Sequence, residues 1–259
     1  MKISNLAMVL VASLMVSGYA QADRLADIQQ AGVLKVGTTG DYKPFSLYDE
    51  KDQSYSGFDI DVAKHMANEL GVKLELVKTT WSDLLPDLNA GKYDIAMGGI
   101  TRKIQRQLAA EQSQGYMTFG KCFLVQKGQA SQYDAIDKVN KDSVKLGVNI
   151  GGTNEKFADE FLTQARFTRF ENNLDVPKAV AAGKVDVMVT ETPEALYYQA
   201  TDPKLEAARC DKPFTQSQFG YLVPKGEQEL LNAVNFMMDE MKLKGITHSL
   251  MVQNHLAVE

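Results

Sequence analysis

Gly57-Phe58-Asp59-Ile60-Asp61-Val62-Ala63-Lys64-His65-Met66-Ala67-Asn68-Glu69-Leu70 is the stretch whose reading decides the fold. Phe58, Val62, Met66 and Leu70 recur at four-residue steps, with Ala63 and Ala67 beside them. That spacing predicts a helix with one apolar face, stopped by Gly71. Upstream, Arg24 to Gln30 reads as a short helix ending at Gly32, and Val33 to Thr39 as a β-rich run. Downstream, Val72 to Thr79 alternates apolar and polar residues and predicts a strand. Trp81 to Asn89 reads as helical, closed by Gly91, and Tyr93 to Met97 as a buried strand. A second series follows: strand Val144 to Val148, helix Asn154 to Gln164, strand Phe167 to Phe170, helix Val176 to Ala182 and strand Val185 to Thr190. Glu194 to Gln199 starts another helix, Phe219 to Val223 is a strand, and a long amphipathic helix runs from about Glu227 to Lys244. Strands alternating with helices predict α/β layers with largely parallel sheets. Two series of similar length, with no low-complexity linker between them, predict two lobes hinged on strand-like crossovers.

The chain has 259 residues, 44% hydrophobic and 24% charged, with a formal net charge of −5. The acidic balance argues against nucleic acid or an anionic membrane as a partner. Met1-Lys2, the apolar run Leu6 to Val16 and the small residues of Ala20-Gln21-Ala22 read as a secretory signal over residues 1–22, cleaved before Asp23. The apolar run is too short to span a bilayer comfortably, so the mature chain is expected free in the periplasm, without membrane insertion. Export permits a disulfide between Cys122 and Cys210. The sequence does not reveal their separation, so a bridge and two free thiols both stand. His65, His248 and His255 lack metal-ligand spacing, and no metal or organic cofactor is expected.

The Gly57–Leu70 segment resembles the signature of the family-3 bacterial extracellular solute-binding proteins, the polar amino-acid binders of ABC importers. Leu34-Lys35-Val36-Gly37-Thr38-Thr39 with Tyr42-Lys43-Pro44-Phe45 is similar to the same family, as are Trp81, Leu85, Leu88, Gly91 and Asp94 in their spacing. The resemblance implies the type II periplasmic solute-binding fold: two α/β lobes of mixed sheets with helices on both faces, joined by a two-strand hinge. It implies a first lobe from 23–117 plus 216–259, a second from 122–212, and hinge segments near 118–121 and 213–215. A small amino-acid-like carboxylate would bind between the lobes and be buried on closure.

Such a ligand calls for a cation, oriented N–H groups and apolar walls. Arg106, five residues past Thr101, stands where the family carries its carboxylate-binding arginine, although Ile104-Gln105 replaces the usual Pro-Glu. A planar guanidinium matches a carboxylate with two parallel donors. Gly151-Gly152-Thr153-Asn154 lies between a strand and a helix, where glycines admit a close approach and the helix start suits an anion. The family places ligand contacts there. Glu191 falls where amino-acid binders hold a ligand ammonium. Glu194, just after Pro193, also reads as an ordinary helix-start acid.

Thr38 to Ser46 and Gly151 to Ala158, with Lys121 and Asn149, resemble the enzymes of this fold that remove water and carbon dioxide together from prephenate or arogenate. Glu194 matches their general acid by position. The resemblance implies a catalytic set of Glu194, Lys121, Asn154 and Asp41. It implies substrate contacts from Arg106, Thr153, Asn149, Thr101, Glu191, Gly152, Phe45 and Trp81. Trp81 reads equally as core. Phe123 and Gly115 stand where prolines are usual. Burial would raise the Glu194 pKa and the helix start would lower it, a contest the sequence leaves open. Two functions therefore stand. One is a dehydratase yielding phenylpyruvate or phenylalanine, favoured by Lys121, Asn149 and Glu194 together. The other is a binding module that delivers an amino acid to an ABC permease.

Overall fold

The computed structural model describes residues 23–257; the expected signal, residues 1–22, lies outside them. The segment Gly57–Leu70 forms the helix Phe58–Glu69 and buries Phe58, Val62, Ala63, Met66 and Ala67, the face expected from its spacing. Asp59 on the same helix is buried too. The helix packs over the parallel pair Val33–Thr38 and Lys73–Lys78, to which Ile95–Ala96 adds a third parallel strand. Leu222–Val223 and Glu111–Gln112 complete this five-stranded sheet in antiparallel pairings.

A second five-stranded sheet repeats the plan. Arg166–Phe170, Lys145–Asn149 and Val187–Glu191 run parallel, and Lys121–Gln126 and Leu205–Ala208 pair antiparallel beside them. Each sheet has its own apolar core: Val36, Phe58, Ile95 and Met238 on one, Val125, Leu146, Val148 and Val187 on the other. These are two mixed α/β lobes, because each amphipathic helix can bury its stripe only against a sheet face.

The chain crosses between the sheets twice. The crossings form a two-stranded antiparallel ribbon, Met117–Phe119 with Ser217–Phe219. Beside it, Phe214 donates its N–H to the Lys121 carbonyl at 2.8 Å, and a Cβ on Gly120 would lie 2.0 Å from the Thr215 oxygen. Only glycine lets the two crossing chains approach so closely.

Several elements differ from their sequence reading, among them the strand Tyr93 to Met97, which shortens to Ile95–Ala96, and the strands Glu111–Gln112, Lys121–Gln126 and Leu205–Ala208, which it did not contain. The expected strand Phe219 to Val223 divides, because Ser217–Phe219 joins the ribbon while Leu222–Val223 joins the first sheet. The expected helix Trp81 to Asn89 shortens to Leu84–Asn89, and the indole of Trp81 is drawn instead to Asp41. A further helix, Ile246–Gln253, follows left-handed Gly245. Cys122 and Cys210 are disulfide-bonded, with Cα atoms 5.1 Å apart. Among the described residues no helix is long and apolar enough to cross a membrane.

Candidate functional site

The two lobes meet at the carboxyl ends of their parallel strands, where α/β folds gather ligands. The second lobe's residues arrive in this way: Asn149 ends the strand Lys145–Asn149, and Glu191 ends Val187–Glu191. Lys121 opens the antiparallel neighbour, directly opposite Glu191 in register. From the first lobe, Asp41 and Tyr42 follow the strand Val33–Thr38, and Gly99 to Thr101 follow Ile95–Ala96.

Lys121 is the centre of the cluster. Its ammonium donates to Glu191 Oε1, to Asn154 Oδ1 and, at 2.7 Å, to Thr153 Oγ1. Glu191 also accepts from Tyr42 Oη at 2.5 Å, Thr153 Oγ1 at 3.1 Å and Asn154 Nδ2 at 3.3 Å. Burial alone pushes the Glu191 carboxyl up, but the Lys121 charge and these donors outweigh it and hold it below the usual carboxylate range. Burial lowers the Lys121 ammonium, opposed by Glu191. Tyr42 is held well above its ordinary value by burial and by Glu191, so its hydroxyl remains a donor.

Glu194 is fully buried. Its Oε1 accepts from Asn173 Nδ2 at 2.6 Å, and its Oε2 from the Thr190 hydroxyl. Burial pushes its pKa well above the usual value. The Thr190 and Asn173 bonds oppose that, and the nearby Glu191 and Asp41 charges reinforce it. The contest between burial and the helix start goes to burial.

Asp41 bridges the lobes. Its Oδ1 accepts from the Trp81 indole at 3.0 Å, its Oδ2 from the Asn173 backbone N–H at 3.0 Å, and its carbonyl from Asn173 Nδ2 at 3.2 Å. Thr101 and Thr153 hydroxyls face each other across the cleft at 3.4 Å. Gly151 has φ +82°, and a Cβ there would lie 2.4 Å from Ser82 Oγ of the opposite lobe. A larger residue would hold the lobes apart.

Between these side chains lies a cavity of about 20 Å³, lined by Tyr42, Trp81, Gly99, Thr101, Arg106, Asn149, Gly152, Thr153, Asn154, Asn173 and Glu191. That is room for about one water, so a ligand of several heavy atoms enters only with the lobes parted. Arg106 lines the cavity with one N–H donated to the Thr101 carbonyl at 2.7 Å. Burial lowers its pKa to about 10, leaving it charged at neutral pH. Asn149 donates its amide nitrogen to the carbonyls of Phe170 and Glu171. That presents its amide oxygen as the atom available to a ligand hydroxyl.

Of the residues expected from sequence, Arg106, Thr153, Asn149, Thr101, Glu191, Gly152, Asn154 and Trp81 line the cavity. Lys121 and Asp41 sit directly behind it, bonded to its lining. Glu194 stands one layer deeper, with Asn173 between it and the cavity. Phe45 lies in the first lobe's core, stacked at 5.4 Å beneath Tyr42, whose ring takes the wall position. Trp81 is both wall and core, edge-on to Tyr42 at 5.7 Å. Tyr42, Gly99 and Asn173 were missed. Asn173 stands in a strand-to-helix loop after Phe170, the same kind of position as Gly152, and that placement was the available signal.

Comparison with known proteins accords with this geometry. Residues 34–254 match the model of the bacterial extracellular solute-binding proteins, family 3. The chain is 38% identical over 208 residues to a cyclohexadienyl dehydratase of Pseudomonas aeruginosa, covering 80% of this chain and 77% of that protein. It resembles the crystal structure of an ancestral cyclohexadienyl dehydratase at 52% identity and TM-score 0.56, covering 90% of this chain and 96% of that one. It also resembles an ancestral amino acid-binding protein, a precursor of cyclohexadienyl dehydratase, at 41% identity and TM-score 0.82, covering 89% and 98%. With its two lobes, ribbon hinge and interlobe cluster, the chain belongs to the family 3 bacterial extracellular solute-binding proteins.

Proposed function

We propose that the protein is a dehydratase that removes water and carbon dioxide together from prephenate, arogenate or both. The observation that carries this reading is Glu194, a fully buried carboxyl behind the cleft lining, whose pKa burial raises well above the usual carboxylate value. This elimination needs an acid that keeps its proton, and Glu194 is the raised carboxyl next to the cleft lining, whereas buried Asp59 serves the Gly99, Tyr116 and Tyr221 donors inside the first lobe. The C–O bond to the ring hydroxyl breaks as Glu194 gives up its proton, and the hydroxyl leaves as water. The C–C bond to the ring carboxylate breaks as well, and its electron pair completes the aromatic ring as carbon dioxide departs. Glu194 is left as a carboxylate and regains its proton from water when the cleft opens.

The other residues orient and bind. Arg106, with the Thr153 hydroxyl and the helix start at Gly152, takes one carboxylate. Lys121, re-aimed from Glu191 as substrate enters, offers a cation to the second. Asn149 and Asn154 direct the ring hydroxyl toward Glu194, and Asn173 must swing aside to open that path. A placed general acid contributes roughly 10²–10⁴-fold in rate, and orientation and charge stabilisation supply the rest.

A second reading is supported by Glu191 and by the likeness to an ancestral amino acid-binding protein. In it the protein binds an amino acid for an ABC permease, and Glu191 meets the ligand's ammonium. The four donors already on Glu191 weigh against this reading. The disulfide supports placement in an oxidising compartment such as the periplasm. Incubating the protein with prephenate and following phenylpyruvate decides between them. Formation well above the uncatalysed rate is expected, and none above it sinks the dehydratase reading.

A further inference from the structure

A second space of about 440 Å³ adjoins the closed cavity at the cleft edge and shares Arg106, Trp81 and Thr153 with it. Lys103 of the first lobe, just before the helix Ile104–Ala109, and Lys156 of the second, on the helix Thr153–Phe161, both line it. Both are exposed. Some surface lysines, such as Lys64, Lys138, Lys178 and Lys244, hold a carboxylate at 2.6–2.9 Å, and others, such as Lys127, Lys184 and Lys204, hold none among the described residues but line no cleft. Lys103 and Lys156 hold none among the described residues, and the one carboxylate lining this space is Glu160. Three cations from opposite lobes thus face one acid. They also feel one another, since partial burial and then the Lys156 and Arg106 charges pull the Lys103 ammonium below its usual range, against Glu160 and Glu191.

Closing the lobes brings these like charges together, and an anion between them offsets the repulsion. We propose that Lys103 and Lys156, with Arg106, form a cationic gate at the cleft mouth that draws in dianionic dicarboxylates and favours closure over them. The proposal rests on the dicarboxylate reading of the function and deepens it. Prephenate carries two carboxylates and no ammonium, whereas arogenate carries an ammonium as well. The gate therefore favours prephenate over arogenate on charge alone.

The test compares the parent with the double variant Lys103→Gln/Lys156→Gln, and with Lys178→Gln as a control for losing an exposed lysine. The value of kcat/KM for prephenate is measured between about 10 mM and 300 mM salt, over which the screening length falls from about 30 Å to below about 10 Å. The parent is expected to lose activity steeply with salt. The double variant is expected to start about tenfold lower at low salt, to respond weakly to salt, and to show its loss in KM. Its loss on arogenate is expected to be smaller. Equal kcat/KM and equal salt slopes in parent and double variant overturn the gate. If the parent shows no turnover, the dehydratase reading fails by itself, and the gate is read from the salt dependence of the prephenate Kd by calorimetry. A slope unchanged by the double substitution, or no prephenate binding, then overturns it.

Discussion

Replacing Glu194 with Gln separates the chemistry of this site from its architecture. Gln has the shape of a protonated glutamate. Its Oε1 keeps the 2.6 Å bond from Asn173 Nδ2, and its amide nitrogen donates to the Thr190 hydroxyl, which turns to accept. Nothing in the cavity lining moves, because Glu194 lies behind Asn173. What is lost is the proton. Removing a placed general acid is expected to lower kcat by roughly 10²–10⁴-fold, about 3–5.5 kcal/mol of barrier, while KM stays within a factor of about three.

Stability gives an independent reading of the same group. Burial raises the folded-state pKa of Glu194 well above the ordinary glutamate value of 4.5. The native state therefore keeps a proton that the unfolded chain releases, and stability falls as pH rises above that value toward the raised one. Gln does not titrate. The variant is thus expected to gain on the parent in urea unfolding as pH rises above the usual carboxylate range, by at most about 1.4 kcal/mol per pH unit. The assay is phenylpyruvate release from prephenate under saturating substrate, with urea titrations alongside. A variant whose kcat stays within about threefold of the parent refutes Glu194 as the acid. A parent and variant of identical pH dependence refute the buried, protonated state.

Three further outcomes follow from the same contacts. Lys121→Met leaves the buried Glu191 carboxylate without its cation and is expected to cost about 3–5 kcal/mol in chemical denaturation. Adding Glu191→Gln should recover most of that, and a double-mutant cycle with no coupling would contradict the buried pair. Replacing Cys122 and Cys210 with Ala frees a closure spanning 88 residues in sequence. It should lower stability by about 2–4 kcal/mol, or roughly 5–15 °C in Tm, read by calorimetry. Asp59 accepts from the Gly99 N–H at 2.6 Å and from the Tyr116 and Tyr221 hydroxyls at 2.8 Å each, and burial raises its pKa to about 6. Asp59→Ala leaves those three donors without an acceptor, at about 1–3 kcal/mol apiece before relief of the buried charge. Because the raised pKa favours the native state below pH 6, the deficit of the variant should be larger near pH 4.5 than at pH 7 in urea unfolding.

Much of the fold is legible along the chain because it rests on local periodicity. The four-residue spacing through Phe58, Val62 and Met66 has only one way to bury its stripe, and Gly71 and Gly32 stop their helices where a left-handed residue is needed. The strand Phe219 to Val223 could not be divided in advance. Its two halves share one apolar composition, and what separates them is which partner strand each meets.

The same division runs through the site. Resemblance brings Arg106, Lys121, Glu191 and Glu194 together as site residues, and the glycine turn before a helix start marks Thr153 and Asn154 beside them. Only the tertiary structure decides their order in depth. Tyr42 takes the wall and Phe45 the core, although both are aromatic and three residues apart, because the turn between them sets which ring faces the cleft. Asn173 becomes an interlobe bridge through a backbone N–H, a group every residue but proline carries and no sequence pattern marks. The raised pKa of Glu194 depends first on burial and then on the charges of Glu191, three residues before it, and of Asp41, from a distant part of the chain. Sequence sets which groups are present, and desolvation, which follows from packing, sets their charge.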